Sequence, residues 1–350
     1  MTEVCRRAVL HEIGWERDLE AEFGADVPPV PEDDHVVIAV EACGVCGRDL
    51  VDREGRFPFL QTPITPGHEA VGRVLAVGPD AEEWAVGDRV ATMHRDHCGE
   101  CSACTAGHTS RCEAAAHVFG LMADGGYARW VAAPETAFYA MPDDIDRAMA
   151  AALHCTFGTA WRCLVTVGGL QSGERVLVTG ANGGVGTAAI QIVKALGGSV
   201  VAIVRDEAHE EFLRELGADQ VIVSSDARFH KDPRCSDVDL ALECVGSPTF
   251  NASLRTVRFG GRLVLLGNVD PAPASLNLGR LIIFAVSILA GGGATRTDMV
   301  EVLAQHAKTP FHLPVAGRFP LERADGAQRL VRSGGLQGRV VIDVRPETST

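Results

Sequence analysis

Positive charge is in short supply in this chain: 32 Lys and Arg stand against 46 Asp and Glu, leaving a formal net charge of −14 at pH 7. Gripping a phosphate backbone takes clustered basic side chains that displace counterions, so no nucleic-acid partner is expected. Long apolar runs are also lacking. The longest, Leu281 to Ala290, is about half of what a bilayer-spanning helix requires. No membrane association is expected, and the run reads as a buried strand and its approach. Behind the basic start Met1-Thr2-Glu3-Val4-Cys5-Arg6-Arg7 there is no apolar stretch of signal-peptide length. Eleven cysteines, an odd number without an export signal, favour reduced thiols and metal ligands over disulfides. The cytoplasm is the expected compartment.

What is present is an ordinary globular composition, 46% apolar and 22% charged, in 350 residues. That length exceeds what one core usually supports, so two domains are expected. From about 36 to 90 the chain is dense in Gly and short β-branched runs such as His35-Val-Val-Ile-Ala-Val40 and Ala70-Val-Gly-Arg-Val-Leu-Ala-Val77. This predicts a compact β-rich domain with tight turns.

Between about 158 and 290 short apolar strands alternate with helical stretches, the pattern of βαβ units and a parallel sheet. Strands are predicted at 175–179, 199–204, 220–223, 238–242, 261–266 and within 281–290. Helices are predicted at 185–196, 206–216 and 248–257. Six strands in this order imply an α/β, doubly wound nucleotide-binding domain. After Gly291-Gly292-Gly293 a helix from Thr297 to Ala307 and short strands ending at Arg339-Val-Val-Ile-Asp343 leave the βα pattern and return to the first domain.

The first strand of that domain runs into Gly180-Ala181-Asn182-Gly183-Gly184-Val185-Gly186, directly before a helix. Glycines there allow a tight turn, close approach of backbone N–H groups to a pyrophosphate, and close helix-to-sheet packing. The helix N-terminus adds the positive end of a dipole. The spacing is Gly-x-x-Gly-x-x-Gly, one residue longer than the usual dinucleotide fingerprint. An acidic residue at the end of the second strand would favour NAD through the ribose 2′-OH. Val204 ends that strand and Arg205 follows, a forked cation suited to a 2′-phosphate, so NADP(H) is preferred over NAD(H). Asp206, two residues beyond the strand, is the counterargument.

Cys98-Gly-Glu-Cys101-Ser-Ala-Cys104, followed by Cys112, offers four soft thiolates within one short loop. Four sulfurs satisfy a tetrahedral d¹⁰ ion and leave no open position, which describes a structural zinc site. An iron–sulfur cluster is the chemical competitor, but the spacing to Cys112 and the Glu113 after it do not match the ferredoxin run with its trailing proline.

Upstream lie Gly44-Val45-Cys46-Gly47-Arg48-Asp49 and Pro66-Gly67-His68-Glu69; downstream lies His154-Cys155-Thr156. With the quartet, the Gly-rich loop, Gly87-Asp88-Arg89-Val90 and Asp124-Gly-Gly-Tyr127, these motifs resemble the zinc-dependent medium-chain alcohol dehydrogenase and reductase superfamily over nearly the whole chain. The resemblance implies a GroES-like β-rich catalytic domain over 1–155 with a structural-zinc lobe at 94–116. A Rossmann cofactor domain over 156–292 and a returning segment over 293–350 complete it. Cys46, His68 and Cys155 match the three protein ligands of a catalytic zinc, a second zinc per chain. The fourth position is left open. Glu69 matches a carboxylate that approaches the metal in some members, and Asp49 one that fixes the tautomer of the ligand histidine. The implied chemistry is hydride transfer between nicotinamide and a small molecule, with zinc as Lewis acid. A homodimer or homotetramer is implied, joined along the edge near Ser287 to Ala290. His94, Phe57, Phe119 and Trp161 either line the pocket by family position or pack.

One position departs from the family. Many of its alcohol dehydrogenases place Ser or Thr two residues after the first ligand cysteine, to pass a proton from the alcohol. Here Arg48 stands there and Val51 replaces the histidine that continues the relay. A guanidinium cannot accept a proton at neutral pH. The stretch around Arg48 and Gly55-Arg56-Phe57-Pro58 is more similar to a branch that includes acryloyl-CoA reductases, as are Gly267-Asn268-Val269, assigned to cofactor binding, and Leu276-Asn277-Leu278-Gly279. The leading expectation is reduction of an aldehyde or ketone (or oxidation of an alcohol), because the zinc ligand set is complete; the rival is reduction of an activated double bond, where Arg48 would contact a substrate carbonyl or cofactor phosphate, unless it only forms a salt bridge to a carboxylate. A nicotinamide- and zinc-binding protein without turnover is the third reading.

Overall fold

A computed structural model describes residues 3–269 and 272–345. The chain divides into two compact units. One runs to Cys155 and resumes at Pro314; the other is Thr156–Leu313.

The first unit is built on the long strand His35–Val45, whose inner residues Val36, Ile38 and Val40 are fully buried. It pairs antiparallel with Ala70–Val77, with Trp130–Pro134 and with the late strand Arg339–Asp343, which pairs in turn with Val315–Pro320. Arg89–Thr92 and Phe138–Ala140 extend the sheet beyond Ala70–Val77. β-Branched residues on this pleated surface fill one core with Phe119, Tyr127 and Phe138, which also takes in Val340 and Ile342 from the end of the chain. The only helix between 36 and 90 is the short Gly47–Arg53. This is the expected β-rich domain.

In the second unit six parallel strands lie in the order Gln220–Val223, Ser199–Val204, Arg175–Thr179, Val238–Glu243, Val257–Leu265, Ser287–Ala290. The order reverses between Arg175–Thr179 and Val238–Glu243, the switch point at which doubly wound sheets bind ligands. The inner strands carry continuous apolar runs, because parallel strands are covered on both faces.

Three expectations need correction. The run 281–290 is no buried strand. Its first part is a helix, Leu278–Phe284, with Leu278, Ile282 and Ile283 exposed; left-handed Ala285 at φ 50° ends it. The rest is the edge strand Ser287–Ala290, which has one sheet neighbour. Helix 206–216 is split into a 3₁₀ turn, Glu207–His209, and helix Glu210–Glu215, because the Asp206 carboxylate caps the turn. The return to the first unit begins at Pro314 rather than after Gly293. Helix Arg296–Lys308 stays with the second unit: buried Asp298 closes its capping box with Thr295 and accepts hydrogen bonds from Arg162 Nη1 at 2.9 Å and Thr166 Oγ1 at 2.5 Å. No helix among the described residues is long and apolar enough to cross a membrane.

Candidate active site and metal centres

Cys46, His68, Glu69 and Cys155 place one donor atom each within 4.8 Å of one another. Local structure sets each one. Cys46 is the N-cap of helix Gly47–Arg53: its Sγ accepts from Arg48 N at 3.4 Å, and Asp49 Oδ2 accepts from Cys46 N at 2.8 Å. His68 follows Gly67, whose φ of 99° and contact with the Tyr127 ring leave no room for a side chain. Cys155 lies in a π-helical turn, His154–Gly158, a form of helix that recurs at functional sites.

Asp49 has two tasks. Its Oδ1 lies 3.0 Å from His68 Nδ1, and its Oδ2 accepts from Tyr127 Oη at 3.0 Å. The proton of His68 is thereby held at Nδ1 and Nε2 is turned to the cluster, where this buried nitrogen has no hydrogen-bond partner among the described residues. Burial opposes a charge on His68, but the Asp49 carboxylate outweighs it and lifts the imidazole to about 10. Cys46 is drawn well below its usual value, first by the hydrogen bond with Cys155, while Cys155 is pushed up. Thiol, imidazole and carboxylate donors of this kind suit a soft divalent cation.

The spacing fits one. Two sulfurs held about 2.3 Å from a tetrahedral ion lie roughly 3.8 Å apart. Cys46 Sγ and Cys155 Sγ are 3.6 Å apart. In the quartet Cys101 to Cys112 is 3.9 Å and Cys112 to Cys98 is 3.6 Å, and all four donors again lie within 4.8 Å. The lobe that carries them has little else inside it: Cys104, Cys112 and Ala115 with Cys101 against them.

Sequence reasoning missed Arg339. It is buried on the last strand and forms a short ion pair with Glu69 Oε1. Burial raises Glu69 to about 7 against the pull of Arg339. No local pattern marks a partner 270 residues away.

Arg48 is fixed beside the cluster. Its Nε is 3.1 Å from Asp52 Oδ2 and its Nη2 donates to the Phe119 carbonyl at 3.0 Å. Nη1 has no partner among the described residues, and the side chain keeps 20% of its exposure. Its charge is felt at both His68 and His94. His94 stacks on His154 with centroids 5.6 Å apart, and burial pushes it well below the usual histidine value. Phe119 is fully buried against Phe138, and Trp161 is buried with Nε1 donating to Glu301 at 2.7 Å, so both pack. Phe57 lies 5.5 Å from Phe59.

In the second unit, Gly180 has φ 59° and Gly183 caps helix Gly184–Ala195. A Cβ on Gly186 would sit 2.5 Å from Gly180 O and 2.6 Å from Ala181 Cα, so the helix start packs against the loop. Asn182 Nδ2 is 3.5 Å from His209 Nε2, and Val185 lies in the first turn of the helix. The loop is braced by Glu243, also unforeseen: this fully buried carboxylate accepts from Thr179 Oγ1, Val245 N, Gly246 N, Thr249 Oγ1 and Ser253 Oγ. It joins two strand ends at the switch point. Gly267 lies against the backbone of Cys244, Asn268 is exposed, and Val269 N donates to Val245 O at 3.0 Å. Arg205 directly follows strand Ser199–Val204 and is exposed, with no ion pair or hydrogen bond among the described residues. Asp206 Oδ1 is occupied by Ala208 N at 2.9 Å.

A β unit with two clusters of metal donors, joined to a doubly wound unit with a glycine loop at its switch point, defines a zinc-type nicotinamide dehydrogenase. Residues 32–143 match the alcohol dehydrogenase GroES-like domain and residues 184–308 the zinc-binding dehydrogenase domain. An acryloyl-coenzyme A reductase of Sulfurisphaera tokodaii is 33% identical over 322 residues, 91% of this chain and 95% of that protein. The crystal structure of AibC superposes with a TM-score of 0.91 at 36% identity, covering 98% of this chain and 96% of that one. A cobalt- and zinc-bound thermostable alcohol dehydrogenase from Pyrobaculum aerophilum gives 0.87 at 30%, covering 98% and 100%. The chain belongs to the zinc-type medium-chain dehydrogenase/reductase superfamily and is an oxidoreductase.

Proposed function

We propose that this oxidoreductase is an NADPH-dependent reductase of an activated double bond conjugated to a carbonyl, with 2-enoyl thioesters as its substrate class. The observation that carries this reading is the state of Arg48: a half-fixed guanidinium with Nη1 free of protein partners stands where a hydroxyl relay would be. Carbonyl reduction leaves an oxygen that must gain a proton, which a relay serves. Reduction of an enoyl thioester takes hydride at the β-carbon and a proton from water at the α-carbon, and the negative charge that develops on the thioester oxygen between the two must be stabilised. A forked cation held by Asp52 and the Phe119 carbonyl suits that task without reorganising.

When bound, the nicotinamide supplies hydride and the zinc supplies Lewis acidity. The chain's own residues do the rest. Cys46, His68 and Cys155 would hold the catalytic zinc, and Cys98, Cys101, Cys104 and Cys112 the structural one. Asp49 orients His68, and Arg339 compensates Glu69. The loop 180–186 would take the pyrophosphate. Arg205, unpaired and at the strand end, supports NADP(H) over NAD(H), since the carboxylate of Asp206 is spent on a helical cap. Eleven free cysteines support the cytoplasm. The exposed apolar residues of helix Leu278–Phe284 beside the edge strand Ser287–Ala290 support a homodimer or homotetramer.

Carbonyl or alcohol turnover is the second reading, favoured by the complete donor set at Cys46, His68 and Cys155. The test is NADPH and NADH oxidation with 2-enoyl thioesters and with aldehydes. The enoyl reading expects thioester turnover that falls roughly 100-fold or more in Arg48→Ser, the loss of one charge-stabilising donor. Aldehyde turnover that rises in Arg48→Ser and vanishes in Cys46→Ser, with silent thioesters, replaces it by the second. Arg205→Ala should weaken NADPH far more than NADH; equal effects refute the cofactor assignment.

A further inference from the structure

Away from both cysteine clusters, His35 and His117 bring their Nε2 atoms to 3.4 Å. His35 opens strand His35–Val45, and His117 lies five residues past Cys112, where the cysteine lobe rejoins the sheet. The rings meet edge to face, with centroids 5.1 Å apart and planes at 69°. An N–H donor normally sits about 2.7–3.2 Å from its acceptor, so this pair is too long for a good hydrogen bond. Two nitrogens held at about 2.0–2.1 Å from one tetrahedral ion lie roughly 3.3–3.4 Å apart, which is the spacing found.

The surroundings agree. Beside His35 the Asp34 carboxylate lies 3.5 Å from Nδ1, a negative charge close to the pair. Asp96 accepts from Ala116 N at 3.3 Å and His117 N at 2.9 Å, fixing the segment that carries His117. Both rings are half-buried, and water can complete a coordination sphere.

We propose that His35 and His117 form a third metal position, for a divalent cation of the zinc, nickel or copper type, that staples the cysteine lobe to the first strand of the sheet. Imidazole nitrogens select such ions over magnesium or calcium. This position lies apart from the catalytic residues and is independent of the reaction assigned above.

The test is equilibrium dialysis of the zinc-loaded enzyme against micromolar Zn²⁺, with metal counted by elemental analysis, in wild type, His117→Gln and His35→Asn. Wild type is expected to hold one more equivalent than either variant. Added Zn²⁺ should raise its Tm by a few degrees, as a ligand of the native state does, and leave both variants unmoved. Reductase turnover, expected unchanged, shows that the variants are folded. An extra equivalent that persists in both variants, or is absent from wild type, overturns the proposal, as does a Tm rise of equal size in all three proteins. Should one variant misfold, the other decides.

Discussion

The chain holds two sulfur-rich clusters of similar dimensions that differ in how they are assembled. Cys98, Cys101, Cys104 and Cys112 come from one loop and carry almost no apolar core. Cys46, His68, Glu69 and Cys155 come from three distant segments, each already fixed by a cap, a turn or a buried hydrogen bond. The first has little besides its own thiols to hold it, so on the proposed zinc assignment an ion would take the place of a core. The second exists as a structure and has room for an ion. A closed set of identical donors therefore reports on stability, and a mixed set with outer partners reports on chemistry.

That contrast sets the order of expected effects. Cys112→Ala should be the most severe, because a structural zinc supplies roughly 10 kcal/mol or more of folding free energy in small zinc domains. Calorimetry is expected to show loss of the native transition, whereas Cys46→Ser keeps a Tm near wild type while losing metal-dependent turnover. The reverse pattern would invert the roles of the two clusters.

Next in size is Arg339→Met, which leaves Glu69 buried without its cation and should cost about 3–5 kcal/mol in urea unfolding. Adding Glu69→Gln should restore most of that stability. A double variant no better than the single one would show that Arg339 acts through packing and not through charge.

The last effect is confined to a pH window and concerns Asp52, which burial lifts to about 7 although Arg48 pulls it down. Its folded pKa lies above the unfolded value of 3.8, so folding takes up a proton. Its contribution to stability is fully present below about pH 4 and is lost as pH rises to about 7. Asp52→Asn should flatten unfolding free energy across that window relative to wild type. Parallel pH profiles for the two proteins would mean that Arg48 keeps Asp52 ionised throughout.

Legibility in the sequence follows the range of the interaction. Strands such as Arg175–Thr179 and Ser199–Val204 could be read to the residue because buried parallel strands are short apolar runs between glycines and polar turns. The quartet was plain because all its ligands are neighbours in the chain. In the run 281–290, expected as a strand and its approach, the first part is helical, because an apolar run has no periodicity from which to separate helix and strand. Arg339 and Glu243 were invisible for a different reason: each is defined by partners that only the folded chain brings to it.

Arg339 also orders events in time. Cys46, His68, Glu69 and Cys155 all leave the ribosome before it, and Glu69 precedes it by 270 residues. At roughly 5–20 residues per second that interval is about 15–50 s of synthesis. During it Glu69 is without the guanidinium that pairs with it in the folded chain. The ion pair that balances Glu69 thus arrives with one of the last described strands to be made.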